Sequence, residues 1–347
     1  MYQHGGDIYG NKVELDFSAN INPLGMPKGV HQSIAQAIEH CIHYPDAQCR
    51  KLITEIAKKE QILPQYIICG NGAADLIFRF VLAAKPKKAL LLAPTFSEYE
   101  DALRMVECEN KFYTLQESKH FLLQEDFLEQ VEDDMDVIFL CNPNNPTGKL
   151  IPLTILERLQ QICKEKKIIL FLDECFLDFV RNGDKFSPKK NLPNNPWIFI
   201  LRAFTKMYGM AGVRLGYGFS SDTDLIEKMK KCSQSWPVST LAQAAGVAAL
   251  KEVEFLEKTI EYVDKQRSYL LHELKKLGIL CWRGSANYIF LKYNYGDLYE
   301  QLLEKRILIR SCHNYRGLTK GYYRIAVKKE EENKKLIQAL KELKKEV

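Results

Sequence analysis

The sequence lacks the patterns that define several classes of protein. No apolar run reaches the ~18–20 residues that span a bilayer, and residues 1–7 show neither the charged nor the apolar segment of a signal peptide. The ten cysteines include no Cys-x-x-Cys pair and have no His-rich companion motif. We therefore expect a cytoplasmic protein with free thiols, no membrane association and no bound metal.

An excess of charge is also missing. The formal net charge is +5 over 347 residues, from 49 Lys and Arg against 44 Asp and Glu. Lysines and acidic residues are mixed in runs such as 164–167 and 328–331, a pattern typical of solvated helix faces. We therefore expect no nucleic-acid partner. The length and the 46% hydrophobic content allow two lobes and a large core.

What the sequence does contain is an alternation of short apolar runs and longer helical patterns. The runs predicted as strands are 66–69, 89–92, 137–141, 168–172 and 198–201, and helical stretches such as 153–166 separate some of them. Continuous apolar strands between helices predict an α/β fold with a large, doubly wound, mostly parallel sheet. Polar residues follow four of these strands, at 70–72, 142–148, 173–174 and 202–206. Since ligands bind at the carboxyl ends of such strands, we expect one shared cleft there.

The pattern changes beyond about residue 235. A long helical region over 240–277 precedes strand-like segments at 286–291, 306–310 and 322–327, and a charged amphipathic helix runs to the end. This order predicts a smaller α+β domain. We expect an N-terminal arm over residues 1–25 that contributes to the substrate site, a large domain over 26–235 and a small domain over 236–347.

The most informative segment is the strand that leads to Lys206. An apolar run delivers this lysine to the strand's end, and Arg214 follows eight residues later in a glycine-containing turn. A buried amine loses its proton easily, which suits Schiff-base chemistry with a carbonyl cofactor, and an arginine suits a phosphate. The pair favours pyridoxal 5′-phosphate (PLP), although taken alone an ordinary strand-to-loop junction fits equally well.

Two other strand ends carry residues that would complete such a site. A carboxylate that ends a buried strand, Asp173, needs a partner, and the protonated pyridine nitrogen of PLP is one. The alternative is a helix N-cap. In the turn 142–148, two X-Pro bonds and a glycine give Asn145 a rigid mounting from which its amide could hold the ring's phenolate oxygen. A plain turn is the alternative.

A loop of small residues, 70–75, precedes an apolar helix over 76–83. Such a loop presents backbone amides to an anion, although glycine-bearing strand-to-helix loops are common. Phe96 could stack on a cofactor ring, or could be an ordinary core residue.

Taken together, the order of these segments resembles that of the fold-type I, aspartate-aminotransferase-like PLP enzymes. The resemblance spans nearly the whole chain and is strongest to the branch that holds histidinol-phosphate aminotransferases and threonine-phosphate decarboxylases. It implies that Lys206 is the catalytic lysine bonded to the cofactor. The other implied cofactor contacts are Asn71, Gly72, Ala73, Phe96, Asn145, Asp173, Thr205, Arg214 and Tyr44. Tyr44 corresponds to a tyrosine that the family contributes across a homodimer interface, so a homodimer with shared sites is implied.

The resemblance also implies which residues hold a phosphorylated amino acid. Arg324 matches the arginine that binds the substrate carboxylate, and the further positioning candidates are His4, Asn20, Tyr44, Asn145 and Arg310. Two departures from the aminotransferase pattern stand out. Phe176 replaces a tyrosine that would bond the ring oxygen, and Ala203 replaces a hydroxyl residue near the cofactor phosphate, which leaves Thr205 as the nearby hydroxyl.

The N-terminal segments 4–7 and 15–25 resemble the opening of the threonine-phosphate decarboxylases, as do 173–176, 285–288 and 306–312. The favoured reaction is therefore decarboxylation of L-threonine O-3-phosphate in cobalamin nucleotide-loop synthesis, with L-serine O-phosphate as a variant that lacks one methyl group. A pocket distinguishes one methyl by only about 1–3 kcal/mol. The alternatives are a histidinol-phosphate aminotransferase and a PLP-binding regulatory protein without turnover.

Overall fold

The computed structural model describes residues 4–10 and 12–345. Residues 1–3 and 11 of the predicted arm, and 346–347 of the predicted small domain, lie outside these ranges. The strands are β1 (Leu15–Asp16), β2 (Ile67–Gly70), β3 (Lys88–Ala93), β4 (Glu109–Thr114), β5 (Val137–Cys141), β6 (Ile169–Asp173), β7 (Ile198–Ala203), β8 (Gly216–Phe219), β9 (Leu280–Trp282), β10 (Tyr288–Lys292), β11 (Ile307–Leu308), β12 (Arg310–Ser311) and β13 (Tyr322–Ala326). The α-helices are α1 (Lys28–Ala37), α2 (Arg50–Glu60), α3 (Ala73–Ala84), α4 (Glu98–Arg104), α5 (Leu153–Lys166), α6 (Phe204–Met207), α7 (Thr223–Lys231), α8 (Thr240–Ala249), α9 (Val253–Lys276), α10 (Leu298–Glu304) and α11 (Glu330–Lys345).

A seven-stranded sheet forms the centre of the larger part of the chain. Its strand order is β2-β8-β7-β6-β5-β3-β4, and every strand runs in one direction except β8, which is antiparallel to both neighbours. The α/β fold with a mostly parallel sheet is thus confirmed. The five predicted strands are present, each within two residues of the predicted bounds.

Strands β2, β3, β5, β6 and β7 are buried on both faces of this sheet, which explains why they read as continuous apolar runs. On one face the register aligns Phe139, Phe171 and Phe199, whose ring centroids lie 4.6 and 5.1 Å apart along the row. The alternating residues of β5 and β6, such as Leu140 and Leu172, pack into a separate cluster on the opposite face.

The sequence prediction missed two strands of this sheet, because β4 and β8 were not predicted. The long helical region expected over 240–277 consists of two helices, α8 and α9, because the chain turns at 250–252. The segment 306–310 is divided between β11 and β12 rather than forming one strand.

The C-terminal part builds a second, antiparallel sheet in the order β12-β13-β10-β9. The N-terminal segment joins it, since β1 pairs in parallel with β11 and the N–H of Ala326 donates to the carbonyl of Phe17 at 2.8 Å. Residues at opposite ends of the sequence therefore meet. The division at residues 25 and 235 stays a prediction. Across residues 4–10 and 12–345, no helix is long and apolar enough to cross a membrane.

Candidate active site

A cavity of about 300 Å³ lies at the carboxyl ends of β5, β6 and β7, where the sequence predicted a shared cleft. This volume is within the range of pockets that hold small ligands. Most of the predicted site residues line it, namely His4, Asn20, Ala73, Phe96, Asn145, Asp173, Thr205, Lys206, Arg214, Arg310 and Arg324. Of the predicted residues, Asn71, Gly72 and Tyr44 are not on its wall.

Lys206 is mounted on α6, the single helical turn that follows β7. The N-terminal segment braces this turn, because the N–H of Asn22 donates to the carbonyl of Lys206 at 3.1 Å and the Asn22 side chain donates to the carbonyl of Met207 at 2.6 Å. Gly209 closes the turn with a φ of +59°, and a Cβ there would lie 2.5 Å from the carbonyl carbon of Gly25. Close packing thus holds the lysine in place.

The amine of Lys206 is set up to exchange a proton near neutral pH. Burial disfavours its charged form, and the positive charge of Arg324 acts in the same direction. Together these effects lower the pKa of Lys206 to about 8 from an ordinary value of 10.5. The position of Lys206 at the end of a strand predicted an amine that loses its proton easily, and the structure agrees with this.

Asp173, the last residue of β6, is buried and held by two donors. The hydroxyl of Tyr99 donates to Oδ2 at 2.6 Å, and the backbone N–H of Cys175 donates to Oδ1 at 2.9 Å. Burial raises the pKa of Asp173, and these hydrogen bonds oppose the rise. The sequence analysis did not single out Tyr99, although it lies only three residues after the predicted site residue Phe96.

The helix α3 begins at one end of the pocket, beside Arg214. Gly72 has a φ of +86°, and a Cβ there would lie 2.6 Å from Nη2 of Arg214. Glycine thus permits the close approach of the guanidinium to the helix start. The N–H of Asn71 donates to Asp75 at 2.9 Å and that of Gly72 donates to the carbonyl of Gly70 at 2.8 Å.

Two buried arginines, Arg310 and Arg324, face the pocket from the C-terminal sheet, and each is 6% exposed. Arg310 donates to the carbonyl of Ser311 and, at 2.8 Å, to Oδ1 of Asn314. Arg324 donates to Oδ1 of Asn145 and, at 2.8 Å, to the carbonyl of Ser18. Among the described residues, no carboxylate lies within 4.0 Å of either guanidinium. Buried cations without a counter-ion mark a site for anions.

Arg324 also contacts Asn20, a second residue that the sequence predicted for the substrate site. With its amide oxygen turned toward Arg324, Asn20 accepts from Nη1 at 3.3 Å and from Nε at 3.2 Å. Asn20 and Asn145 therefore both fix the guanidinium, one from the N-terminal segment and one from the loop after β5.

The N-terminal arm reaches the mouth of the pocket. The ring of His4 lies with Nε2 3.0 Å from a carboxylate oxygen of Glu98, and its centroid is 6.1 Å from that of Phe96. Gly5 packs so closely on Ser18 that a Cβ would lie 2.3 Å from the Ser18 carbonyl oxygen. Glu98 was not predicted as a site residue.

Tyr44 lies outside the pocket of its own chain. Its side chain is 79% exposed and stacks on Trp236, with ring centroids 4.2 Å apart. Tyr44 and Asn71 line a neighbouring surface cleft instead. The predicted role of Tyr44 across a dimer interface is consistent with this exposure but stays a prediction.

The two departures from the aminotransferase pattern are visible in the pocket wall. The ring of Phe176 packs edge-on against Tyr288 at 5.1 Å and has no hydroxyl to offer. Ala203 lines the pocket, and the hydroxyl of the buried Thr205 is the nearest replacement in sequence.

The residues present fit PLP. Asp173 is a buried carboxylate that keeps lone pairs for a pyridinium N–H, since Tyr99 donates to one oxygen and the N–H of Cys175 to the other. Lys206 offers an amine with a pKa of about 8 for an aldehyde. Arg214 and the start of α3 offer a cation and backbone N–H groups for a phosphate.

Comparison with known proteins agrees with this fit. The sequence pattern of the family described as aminotransferase class I and II matches residues 12–340. A threonine-phosphate decarboxylase from Salmonella typhimurium is 38% identical over 94% of this chain and 90% of its own. A histidinol-phosphate aminotransferase from Methanosphaera stadtmanae is 29% identical over 95% of this chain and 90% of its own.

The solved structures place the fold in the same group. The crystal structure of the histidinol-phosphate aminotransferase from Clostridium acetobutylicum superposes with a TM-score of 0.90 at 30% identity, covering 96% of this chain and all of that one. The matched pattern and the relatives each extend over nearly the whole chain. The chain therefore belongs to the aminotransferase class I and II family of PLP-dependent enzymes.

Proposed function

We propose that this enzyme decarboxylates L-threonine O-3-phosphate to (R)-1-amino-2-propanol O-2-phosphate, the linker of the cobalamin nucleotide loop, with L-serine O-phosphate as a second substrate. The observation that carries the proposal is the pair of buried guanidiniums, Arg310 and Arg324, that face Lys206 without a carboxylate partner in the described part of the chain. The higher identity to a threonine-phosphate decarboxylase than to a histidinol-phosphate aminotransferase supports the same reaction.

The substrate carries two anionic groups, a carboxylate and a phosphate, and the pocket offers a separate guanidinium for each. The two arginines are held by different partners, Arg310 by the loop after β12 and Arg324 by Asn145 and the N-terminal segment. A guanidinium has five N–H donors, of which the contacts above leave three on Arg310 and one on Arg324 for a ligand. Independent mounting lets the pocket fix both ends of the substrate and so orient the bonds at Cα.

PLP, when bound, supplies an electron sink for the electron pair that remains on Cα after CO2 leaves. Asp173, held by Tyr99 and the N–H of Cys175, would keep the pyridine nitrogen protonated. Lys206 would deliver a proton from Nζ to Cα, which its pKa of about 8 permits near neutral pH. His4, paired with Glu98 at the mouth, would close the pocket over the substrate phosphate.

The proposal includes a homodimer in which Tyr44 of each subunit completes the site of the other. Tyr44, Ile38, Ile42 and Trp236 expose 79%, 59%, 84% and 44% of their surface. Apolar side chains exposed together on one face indicate an interface.

The test is a direct assay of the purified holoenzyme with each phosphoamino acid, with and without 2-oxoglutarate. We expect CO2 release from L-threonine O-3-phosphate that does not require 2-oxoglutarate. Turnover of histidinol phosphate that requires 2-oxoglutarate and releases no CO2 would show an aminotransferase instead, and no turnover of any substrate would favour the regulatory alternative. Lys206→Ala is the control, since it should abolish turnover and covalent PLP.

A further inference from the structure

Tyr315 lies in the pocket wall between the two sets of residues assigned above to cofactor and substrate. It belongs to the loop that joins β12 to β13, it is 7% exposed, and it lines the same cavity as Lys206. Its hydroxyl donates to Oδ1 of Asn145 at 3.3 Å. The guanidinium of Arg310 lies over its ring, with the central guanidinium carbon 5.2 Å from the ring centroid.

The hydroxyl contact bears on how the Asn145 amide is oriented. Oδ1 of Asn145 accepts from two donors, Nη1 of Arg324 and the hydroxyl of Tyr315. A carbonyl oxygen has two lone pairs, so the two donors satisfy it. The reversed amide would place an N–H group against the N–H donor of Arg324, and it would take from the Tyr315 hydroxyl the oxygen to which that hydroxyl donates. The two contacts therefore hold the amide with its NH2 group as the donor that remains for a ligand.

The ring contact bears on Arg310. A guanidinium over an aromatic face is attracted by the ring's electrons, and the interaction is stronger away from water. Since Asn314 and the carbonyl of Ser311 take two edges of the guanidinium, the ring of Tyr315 supports its flat face. One side chain thus fixes two functional residues through separate parts of its structure.

The loop that carries Tyr315 is itself anchored to the central-sheet part of the chain. The guanidinium of Arg316 makes hydrogen bonds of 3.1 and 2.6 Å to both carboxylate oxygens of Glu100, and it lies 4.3 Å from the ring centroid of Phe112. Within the loop, the N–H of Leu318 donates to the carbonyl of Tyr315 at 3.0 Å. The hydroxyl is therefore presented from a fixed backbone.

We propose that Tyr315 is a positioning residue for the decarboxylation: its hydroxyl orients the Asn145 amide toward the cofactor, and its ring orients Arg310 toward the substrate. The inference rests on the proposed function.

The two roles can be separated by two substitutions. Tyr315→Phe removes the hydroxyl and keeps the ring, whereas Tyr315→Leu removes both. A neutral hydrogen bond of this kind corresponds to about a threefold to tenfold change in an equilibrium. For Tyr315→Phe we expect PLP to bind the apoprotein about threefold to tenfold more weakly, with a shifted pH dependence of holoenzyme absorbance and a KM for L-threonine O-3-phosphate within about twofold of wild type. For Tyr315→Leu we expect the same PLP effect and, in addition, a KM raised by about tenfold.

Tyr113→Phe is the matched control, because it removes a tyrosine hydroxyl that bonds Asp126 on the surface, away from the pocket. It should change neither PLP affinity nor KM. Wild-type PLP affinity and wild-type absorbance in Tyr315→Phe would overturn the proposal, as would a loss of unfolding stability with both quantities unchanged. If Tyr315→Leu does not fold, Tyr315→Phe alone decides. If wild type releases no CO2 but Tyr315→Phe still shifts PLP binding and absorbance, the orienting role stands and the proposed reaction fails.

Discussion

Replacing Lys206 by methionine should make the apoprotein more stable at neutral pH. Wild type holds a charged amine in the partly buried wall of the pocket below pH 8, because desolvation and the charge of Arg324 lower the pKa of Lys206 to about 8 from 10.5. At about 1.4 kcal/mol per pKa unit, this difference corresponds to about 3 kcal/mol. Methionine has a similar length and no charge. We therefore expect Lys206→Met to raise the free energy of unfolding at about pH 7 by up to about 3 kcal/mol.

The gain should depend on pH in a defined way. Between pH 8 and 10.5 the unfolded chain keeps the Lys206 proton while the folded protein has released it, so the unfolded state binds more protons. The free energy of unfolding of wild type must therefore rise with pH in this window relative to that of Lys206→Met. The advantage of the variant should be complete below pH 8 and fade as the pH approaches 10.5. All other groups titrate in both proteins, so their contribution cancels when the two free energies of unfolding are subtracted.

The measurement is urea unfolding of both apoproteins at several pH values and one fixed protein concentration, because a dimer's stability depends on concentration. Lys51→Met, on the exposed surface of α2, is the control and should change the free energy of unfolding little. A variant that is less stable than wild type at neutral pH, or a difference that does not vary with pH, would refute the assignment of Lys206 as a desolvated, destabilising amine.

Two further predictions concern the carboxylates at the end of β6. Tyr99→Phe removes the 2.6 Å hydrogen bond to Asp173, so we expect the pKa of Asp173 to rise and kcat to fall by about tenfold, which a pH–rate profile with saturating substrate would show. An unchanged profile would argue against Tyr99 acting through Asp173. Burial raises the pKa of Glu174 to about 7 from 4.5, so the folded state binds the extra proton and wild type loses stability as pH rises from 4.5 to 7. Glu174→Gln should remove this slope in urea unfolding, and the same slope in both proteins would contradict the cause.

The central strands were predictable because burial on both faces of the sheet leaves a continuous apolar run, as in β5 and β7. Strand β8 was missed because its sequence, Gly-Tyr-Gly-Phe, is short and rich in glycine, which argues against a strand in isolation. The break between α8 and α9 falls at Leu250, Lys251 and Glu252, residues that favour helix, so tertiary packing and not local preference ends α8.

The site residues also divide into those that the sequence predicted and those that it missed. Residues at strand ends, such as Asp173 and Lys206, were found because parallel strands bring their carboxyl ends together. Tyr99 and Tyr315 contact site residues from a helix and a loop, where one tyrosine among many carries no local signal. Only the tertiary structure shows that their hydroxyls contact Asp173 and Asn145.

Two arginines of similar burial, Arg202 and Arg324, differ in whether a carboxylate balances their charge. Arg202 is 4% exposed and pairs with Glu174 at 2.8 Å and Glu60 at 3.4 Å, which balances its charge within the fold. Arg324 is 6% exposed, yet in the described ranges it contacts amide and carbonyl oxygens and no carboxylate. Similar burial without a counter-ion leaves a destabilising charge that an anionic ligand can neutralise. Because a ligand that binds only the folded state stabilises it, an anion that binds at Arg310 or Arg324 should raise the free energy of unfolding.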